Sequence, residues 1–105
     1  MNQETNKLIG IVIDPGHGGK DGGASGNGLL EKDLTLSISK YMYDRFKSLG
    51  LPVFITREAD IDLDKNARPK KILSAFGNDP NVIVISNHIN AGGGNNHCVT
   101  AMYNN

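Results

Sequence analysis

Apolar positions along the chain fall into short unbroken runs and one long stripe. Ile9 to Ile13 is apolar and β-branched apart from Gly10, and Val82 to Ser86 (VIVIS) repeats that character. Unbroken runs of this length predict strands covered on both faces, as in a parallel sheet. Leu51-Pro52 leads into Val53–Thr56, a shorter strand. Between the first two runs, Leu34, Ile38, Tyr41 or Met42, Phe46 and Leu49 recur at three- and four-residue steps. That spacing predicts a helix over 30–49 with a single apolar face. Glu31 and Asp33 fall in its first turn and Lys47 in its last, which suits the helix dipole, and Gly50 is a natural stop.

The segment 64–77, DKNARPKKILSAFG, predicts a second helix from about Pro69 to Phe76, since a proline further inside would remove a backbone bond. Gly77-Asn78-Asp79-Pro80 stops it. The last eleven residues, NNHCVTAMYNN, carry little pattern, and Cys98 to Met102 is compatible with a short edge strand. Strand, helix, strand, helix, strand implies two right-handed crossovers and an α/β fold with the first strand central. Three strands and two helices make a lean sheet, so the expectation is one domain over residues 1–105 that resembles the first portion of a larger, twisted, parallel or mixed sheet.

Composition narrows the partners. Eleven Lys and Arg balance eleven Asp and Glu, so no basic surface argues for nucleic acid. The apolar runs are far too short to span a membrane. The first eight residues, MNQETNKL, lack the apolar core of an export signal. A single cysteine, Cys98, excludes an internal disulfide. The 13 glycines are concentrated at 16–28 and 92–94, which marks two specialised loops.

The candidate chemistry sits in those loops. After the first strand, Asp14-Pro15 leads into GHGGKDGG, where five glycines surround His17. In open parallel sheets, ligands bind beyond the carboxyl ends of the strands. His17 follows the first strand, His88 follows VIVIS, and Glu31 opens a helix that starts at the same edge. Each has a plainer reading: a hydrogen-bonded turn histidine, a strand-end histidine, a carboxylate at a helix start. Together, on one sheet edge, they favour a His₂Glu set, which is what a catalytic zinc with one open position uses. A phosphate loop is the rival for the glycines, but GHGGKDGG fits neither dinucleotide nor P-loop spacing, because Lys20 is followed by Asp21. His97 and Cys98 are expected to take no part.

At these residues the chain resembles the zinc-dependent N-acetylmuramoyl-L-alanine amidases (the Amidase_3 family) of bacterial autolysins, sporulation hydrolases and phage endolysins. The matching segments are IVIDPGHGGKDGGASGNGLLEKDLTL at 11–36, VFITREAD at 53–60 and VIVISNHINAGGG at 82–94. The resemblance runs from about residue 8 to 94. It implies that His17, Glu31 and His88 hold Zn²⁺. Arg57 and Arg68 match arginines common in the family, with no catalytic role assigned. Asp14 is read as a carboxylate beside the site that orients one of the histidines. The family's catalytic glutamate, from a segment near its C-terminus, has no match in this chain. The tail NNHCVTAMYNN departs from the acidic strand-forming segment usual at that place.

The resemblance implies hydrolysis of the amide between N-acetylmuramic acid and the L-alanine of the peptidoglycan stem peptide. Without the family's glutamate, the chain is expected to keep zinc and weak turnover. It would act on the cell wall; the lack of an export signal suggests phage-type release or a trimmed leader. The rival expectation is a non-catalytic module that binds zinc or cell-wall fragments and completes its sheet as a homodimer.

Overall fold

The structure, a computed structural model, describes the backbone of residues 7–92 and 95–104 and the side chains of residues 7–89. Residues 1–6, Gly93, Gly94 and the side chains of His97 and Cys98, all discussed above, lie outside the described residues. The described elements are β1 (Gly10–Pro15), β2 (Ser25–Gly26), β3 (Leu29–Leu30), α1 (Glu31–Ser48), β4 (Val53–Ile55), α2 (Ala67–Phe76), β5 (Val82–Gly92) and β6 (Asn95–Asn104).

The main sheet has the order β4-β1-β5-β6. β1 is central as expected, parallel to β4 with Ile11 opposite Val53, and parallel to β5 from Gly10–Val82 to Pro15–Asn87. Its residues alternate between two cores. Ile11 and Ile13 join Ile55 and Ile85 under Met42, Tyr43 and Phe46 of α1. Val12 joins Val82, Val84 and Ile72 under Phe76 of α2. Helices on both faces are why β1 reads as one apolar run rather than as an alternating one.

Three boundaries differ from the sequence expectation. β1 continues through Asp14 to Pro15, because a proline at the last strand position costs no ladder bond that the fold needs. β5 runs to Gly92 instead of stopping at Ser86, so His88 lies within a strand and not in a loop past its end. Beyond Asn87, β5 has no β1 residue opposite it, and β6 supplies its ladder partner, antiparallel from Ile83–Asn104 to Gly92–Asn95. The patternless tail is thus a ten-residue strand, and the sheet is mixed.

The helices keep their expected places. α1 ends in a Schellman motif: Leu51 N–H donates to Phe46 O, Gly50 N–H donates to Lys47 O, and Gly50 sits at φ 81°. α2 starts at Ala67, two residues before Pro69, with Asp64 Oδ1 accepting from the N–H groups of Asn66 and Ala67. Pro69 is then the third helical residue, where no intrahelical partner awaits its missing N–H.

Candidate metal centre

Three segments converge at the carboxyl edge of β1 and β5. The first is the turn after β1, in which Gly18 and Asp21 pair as an isolated antiparallel bridge and His17 takes φ 65°. That conformation is uncommon for a residue with a Cβ, and the surroundings hold it. Arg68 of α2 donates to the carbonyls of Pro15 (2.8 Å) and His17 (3.0 Å). Arg57, 2% exposed, donates to the carbonyls of Gly16 (2.9 Å) and Lys32 (3.0 Å). Thr35 Oγ1 donates to the same Gly16 oxygen at 2.8 Å. Burial pulls the Arg57 guanidinium below its ordinary value, with Arg68 adding to the effect, but arginine stays charged in proteins.

The second segment is the start of α1. Loop carbonyls cap it: Glu31 N–H donates to Ala24 O and Lys32 N–H to Gly22 O. Ala24 itself lies just before a small hairpin, β2 against β3, turned by Asn27 (φ 52°) and Gly28 (φ 78°). Positive φ at both central residues is the type I′ arrangement that Asn-Gly favours. The result is that Glu31, the first helical residue, points back over the turn and is buried.

The third is β5, which brings His88 to the same point. Its imidazole packs directly against the backbone of Gly16, where a Cβ would lie 2.6 Å from the ring. Gly23 is constrained twice over, by φ 70° and by a Cβ position 2.6 Å from Glu31 Oε1 and 2.7 Å from His17 Cδ2.

The geometry centres on one carboxylate oxygen. Glu31 Oε2 lies 3.1 Å from His17 Nε2 and 3.2 Å from His88 Nδ1, and accepts from Ile89 N–H at 2.9 Å. Its Oε1 accepts from Ala24 N–H at 2.8 Å. Burial on its own would raise the Glu31 carboxyl; the Ala24 and Ile89 N–H groups, with the two histidines, hold it below the ordinary glutamate value. The imidazole rings meet edge to face, with centroids 5.2 Å apart. The ligand-type atoms of His17, Glu31 and His88 all lie within 4.8 Å of one another.

This donor set fits a divalent ion. His17 Nδ1 is 3.0 Å from Asp21 Oδ2. A carboxylate can only accept, so a neutral ring can donate to Asp21 or to Glu31 but not to both; with the proton on Nδ1, the lone pair of Nε2 faces Glu31. Two lone-pair atoms about 3 Å apart repel unless a proton or a cation lies between them. Zinc binds imidazole nitrogen and carboxylate oxygen at about 2.0–2.2 Å in tetrahedral geometry, which separates its ligand atoms by roughly 3.4 Å.

Asp14 does not have the place expected for it. It is buried, and its carboxylate accepts from Thr56 Oγ1 (2.8 Å), Ser86 Oγ (3.2 Å) and Arg68 Nη1 (2.6 Å). Those bonds involve neither imidazole; the link from Asp14 to His17 runs through Arg68 and a backbone carbonyl. Besides Glu31, the carboxylate within reach of a histidine ring is that of Asp21, which sequence reasoning used only to dismiss a phosphate loop. Its signal was the four-residue spacing from His17 inside a turn too tight to keep them apart.

Comparison with known proteins agrees with the architecture. The sequence profile described as Amidase_3, N-acetylmuramoyl-L-alanine amidase, matches residues 11–105 and so includes the tail that had looked foreign to the pattern. The germination-specific N-acetylmuramoyl-L-alanine amidase of Bacillus subtilis (strain 168) is 53% identical over 53 residues, covering 50% of this chain and 22% of that protein. The endolysin of Bacillus phage SPP1 is 37% identical over 82 residues, covering 77% and 29%. The catalytic domain of CwlV, an N-acetylmuramoyl-L-alanine amidase from Bacillus (Paenibacillus) polymyxa var. colistinus, superposes with a TM-score of 0.71 at 31% identity, covering 82% of this chain and 48% of that one. The chain therefore spans less than half the length of these relatives. With the profile matching nearly all of its residues and the sheet superposing on a solved catalytic domain, the chain belongs to the Amidase_3 family of N-acetylmuramoyl-L-alanine amidases.

Proposed function

We propose that this chain is a peptidoglycan amidase domain that hydrolyses the bond between N-acetylmuramic acid and the L-alanine of the stem peptide, with His17, Glu31 and His88 holding zinc. The observation that carries this is the convergence of His17 Nε2 and His88 Nδ1 on one oxygen of Glu31, at 3.1 and 3.2 Å. When bound there, zinc supplies Lewis-acid polarisation of the scissile carbonyl and activation of the attacking water.

The protein's own groups set the conditions for that chemistry. The Ala24 and Ile89 N–H groups keep Glu31 ionised and oriented. Arg57 and Arg68 keep the turn beneath the site in shape, and their bonds to backbone carbonyls assign them to support rather than to substrate. Glu31 cannot also serve as general base, because both of its oxygens are already engaged. Proton transfer by a positioned base typically contributes roughly 10²–10⁴-fold. The expected activity of these residues alone is correspondingly slow.

The test is zinc content of the purified chain and of His17→Ala, Glu31→Ala and His88→Ala, alongside release of L-alanine amino termini from peptidoglycan. One zinc in the parent and little in the three variants is expected. Equal metal in all four removes the proposed site.

A further inference from the structure

The turn after β1 carries one polar side chain whose role the metal set leaves open. Asp21 is exposed, and yet both of its carboxylate oxygens are directed inward. Oδ2 lies 3.0 Å from His17 Nδ1, and Oδ1 accepts from Gly23 N–H at 3.3 Å. Gly23 adjoins Ala24, whose N–H donates to Glu31 Oε1. A single carboxylate therefore touches the ring of one site residue and the backbone that leads to another.

From this geometry we propose that Asp21 is a positioning residue: it fixes the neutral His17 ring with the proton on Nδ1, so that Nε2 faces the point shared by Glu31 and His88. A neutral imidazole carries its proton on either nitrogen, and the partner of one nitrogen decides which. With the proton on Nε2 instead, the ring would donate to Glu31 Oε2 and could not ligate a metal through that atom. Choosing the tautomer thus chooses between a closed hydrogen bond and an open coordination site. The rival role is purely structural, since the backbone of Asp21 also pairs with Gly18. Asp60 separates the two. It holds the same turn by accepting from Gly19 N–H at 2.7 Å, and it pairs with Lys32; neither partner is an imidazole.

The experiment compares the full chain with Asp21→Ala, Asp21→Asn and Asp60→Ala. In this arm alone each chain also carries Glu31→Ala, so that no second carboxylate faces Nε2; long-range ¹H–¹⁵N correlation of the imidazoles, without metal and at about pH 8, above the unperturbed histidine value, then reads the His17 tautomer, and His17→Ala assigns the signals. The expected result is Nδ1–H in the parent, a shift toward Nε2–H in Asp21→Ala, and no shift in Asp60→Ala. Asp21→Asn keeps an acceptor oxygen and should retain much of the Nδ1–H form. Zinc affinity by chelator competition should fall about 10–100-fold in Asp21→Ala, and clearly less in Asp60→Ala. An unchanged tautomer in Asp21→Ala overturns the proposal, and so does equal loss of zinc affinity in Asp21→Ala and Asp60→Ala. The affinity arm rests on the metal assignment above, whereas the tautomer arm does not: a parent chain without zinc defeats that assignment and leaves the spectrum to decide this one.

Discussion

The two histidines reach the same point from opposite kinds of backbone. His88 sits in a regular strand, with its neighbours' peptide groups paired to β1 and β6. His17 sits in an irregular turn at φ 65° that has one internal bridge, Gly18 with Asp21, in place of a ladder. The difference shows in what each needs from the rest of the chain. The strand side needs little beyond the sheet itself. The turn side takes bonds from Arg57, Arg68, Thr35 and Lys32 onto carbonyls of residues 15–19, plus Asp60 onto an N–H. Three cations beside a candidate active site would ordinarily suggest recognition of an anionic substrate. Here their partners are backbone oxygens together with the carboxylates of Asp14 and Asp60, which makes them the scaffold of a turn that cannot satisfy itself.

The largest expected effect removes what both sides share. Glu31→Ala takes away the oxygen on which the two imidazoles converge and leaves the Ala24 and Ile89 N–H groups without their acceptor. Zinc affinity should fall by more than about 100-fold, beyond the range for a residue that merely orients a ligand. Titration with a competing chelator measures it. Affinity preserved in Glu31→Ala would show that the two sides do not meet through this residue.

Next comes the scaffold of the turn. Arg57→Ala strips a buried donor from the carbonyls of Gly16 and Lys32 and from Thr35 Oγ1. Thr35 Oγ1 still reaches the Gly16 and Lys32 oxygens, but a hydrogen bond to a charged donor contributes about 1.5–3 kcal/mol, so a loss of about 3 kcal/mol in urea unfolding is expected. Arg57→Lys keeps the charge but not the planar fork and should recover less than half of that. A loss under about 1 kcal/mol in Arg57→Ala would mean that the turn holds itself, and the contrast with the strand side would disappear.

The two site glycines then separate the sides one at a time. Gly16→Ala sets a methyl against the His88 ring and Asn87 O, while Gly23→Ala sets one against Glu31 and the His17 ring at φ 70°. Left-handed backbone costs a residue with a Cβ roughly 1–2 kcal/mol before any clash is counted. Gly23→Ala should therefore lose more stability than Gly16→Ala, though both weaken zinc binding. The reverse order would place the tighter constraint on the strand side.

What was legible in the sequence follows the same division. Unbroken apolar runs gave β1 and the first half of β5, and the stripe from Leu34 to Leu49 gave α1, because burial on two faces or one leaves a period in the residues themselves. The far half of β5 was not legible as such, and of β6 only Cys98 to Met102 suggested an edge strand: Asn87–Gly92 pairs with Asn95–Thr100, and mutual pairing leaves no apolar signature in either. His17, Glu31 and His88 could be placed at one edge from chain direction alone. The role of Asp14 could not, since a carboxylate at a strand end does not announce whether an arginine 54 residues later will claim it. Asn27-Gly28 was different, a readable hairpin signal that the glycine-dense surroundings obscured.

That hairpin supplies the smallest and most selective test. Gly28 has φ 78° like Gly23, but a Cβ there would meet nothing within 4 Å. Gly28→Ala therefore isolates the conformational cost from the steric one, and about 1 kcal/mol is expected in urea unfolding. β2 and β3 pair only through Ser25–Leu30 and Gly26–Leu29, yet Glu31 is fixed independently by its N–H bond to Ala24 O and by the start of α1. Zinc affinity in Gly28→Ala should consequently stay within about twofold of the parent. A tenfold loss would mean that the hairpin, and not the clamped turn, sets the position of Glu31. The irregular side of the site would then extend to residue 30 and owe less to the arginines beneath it.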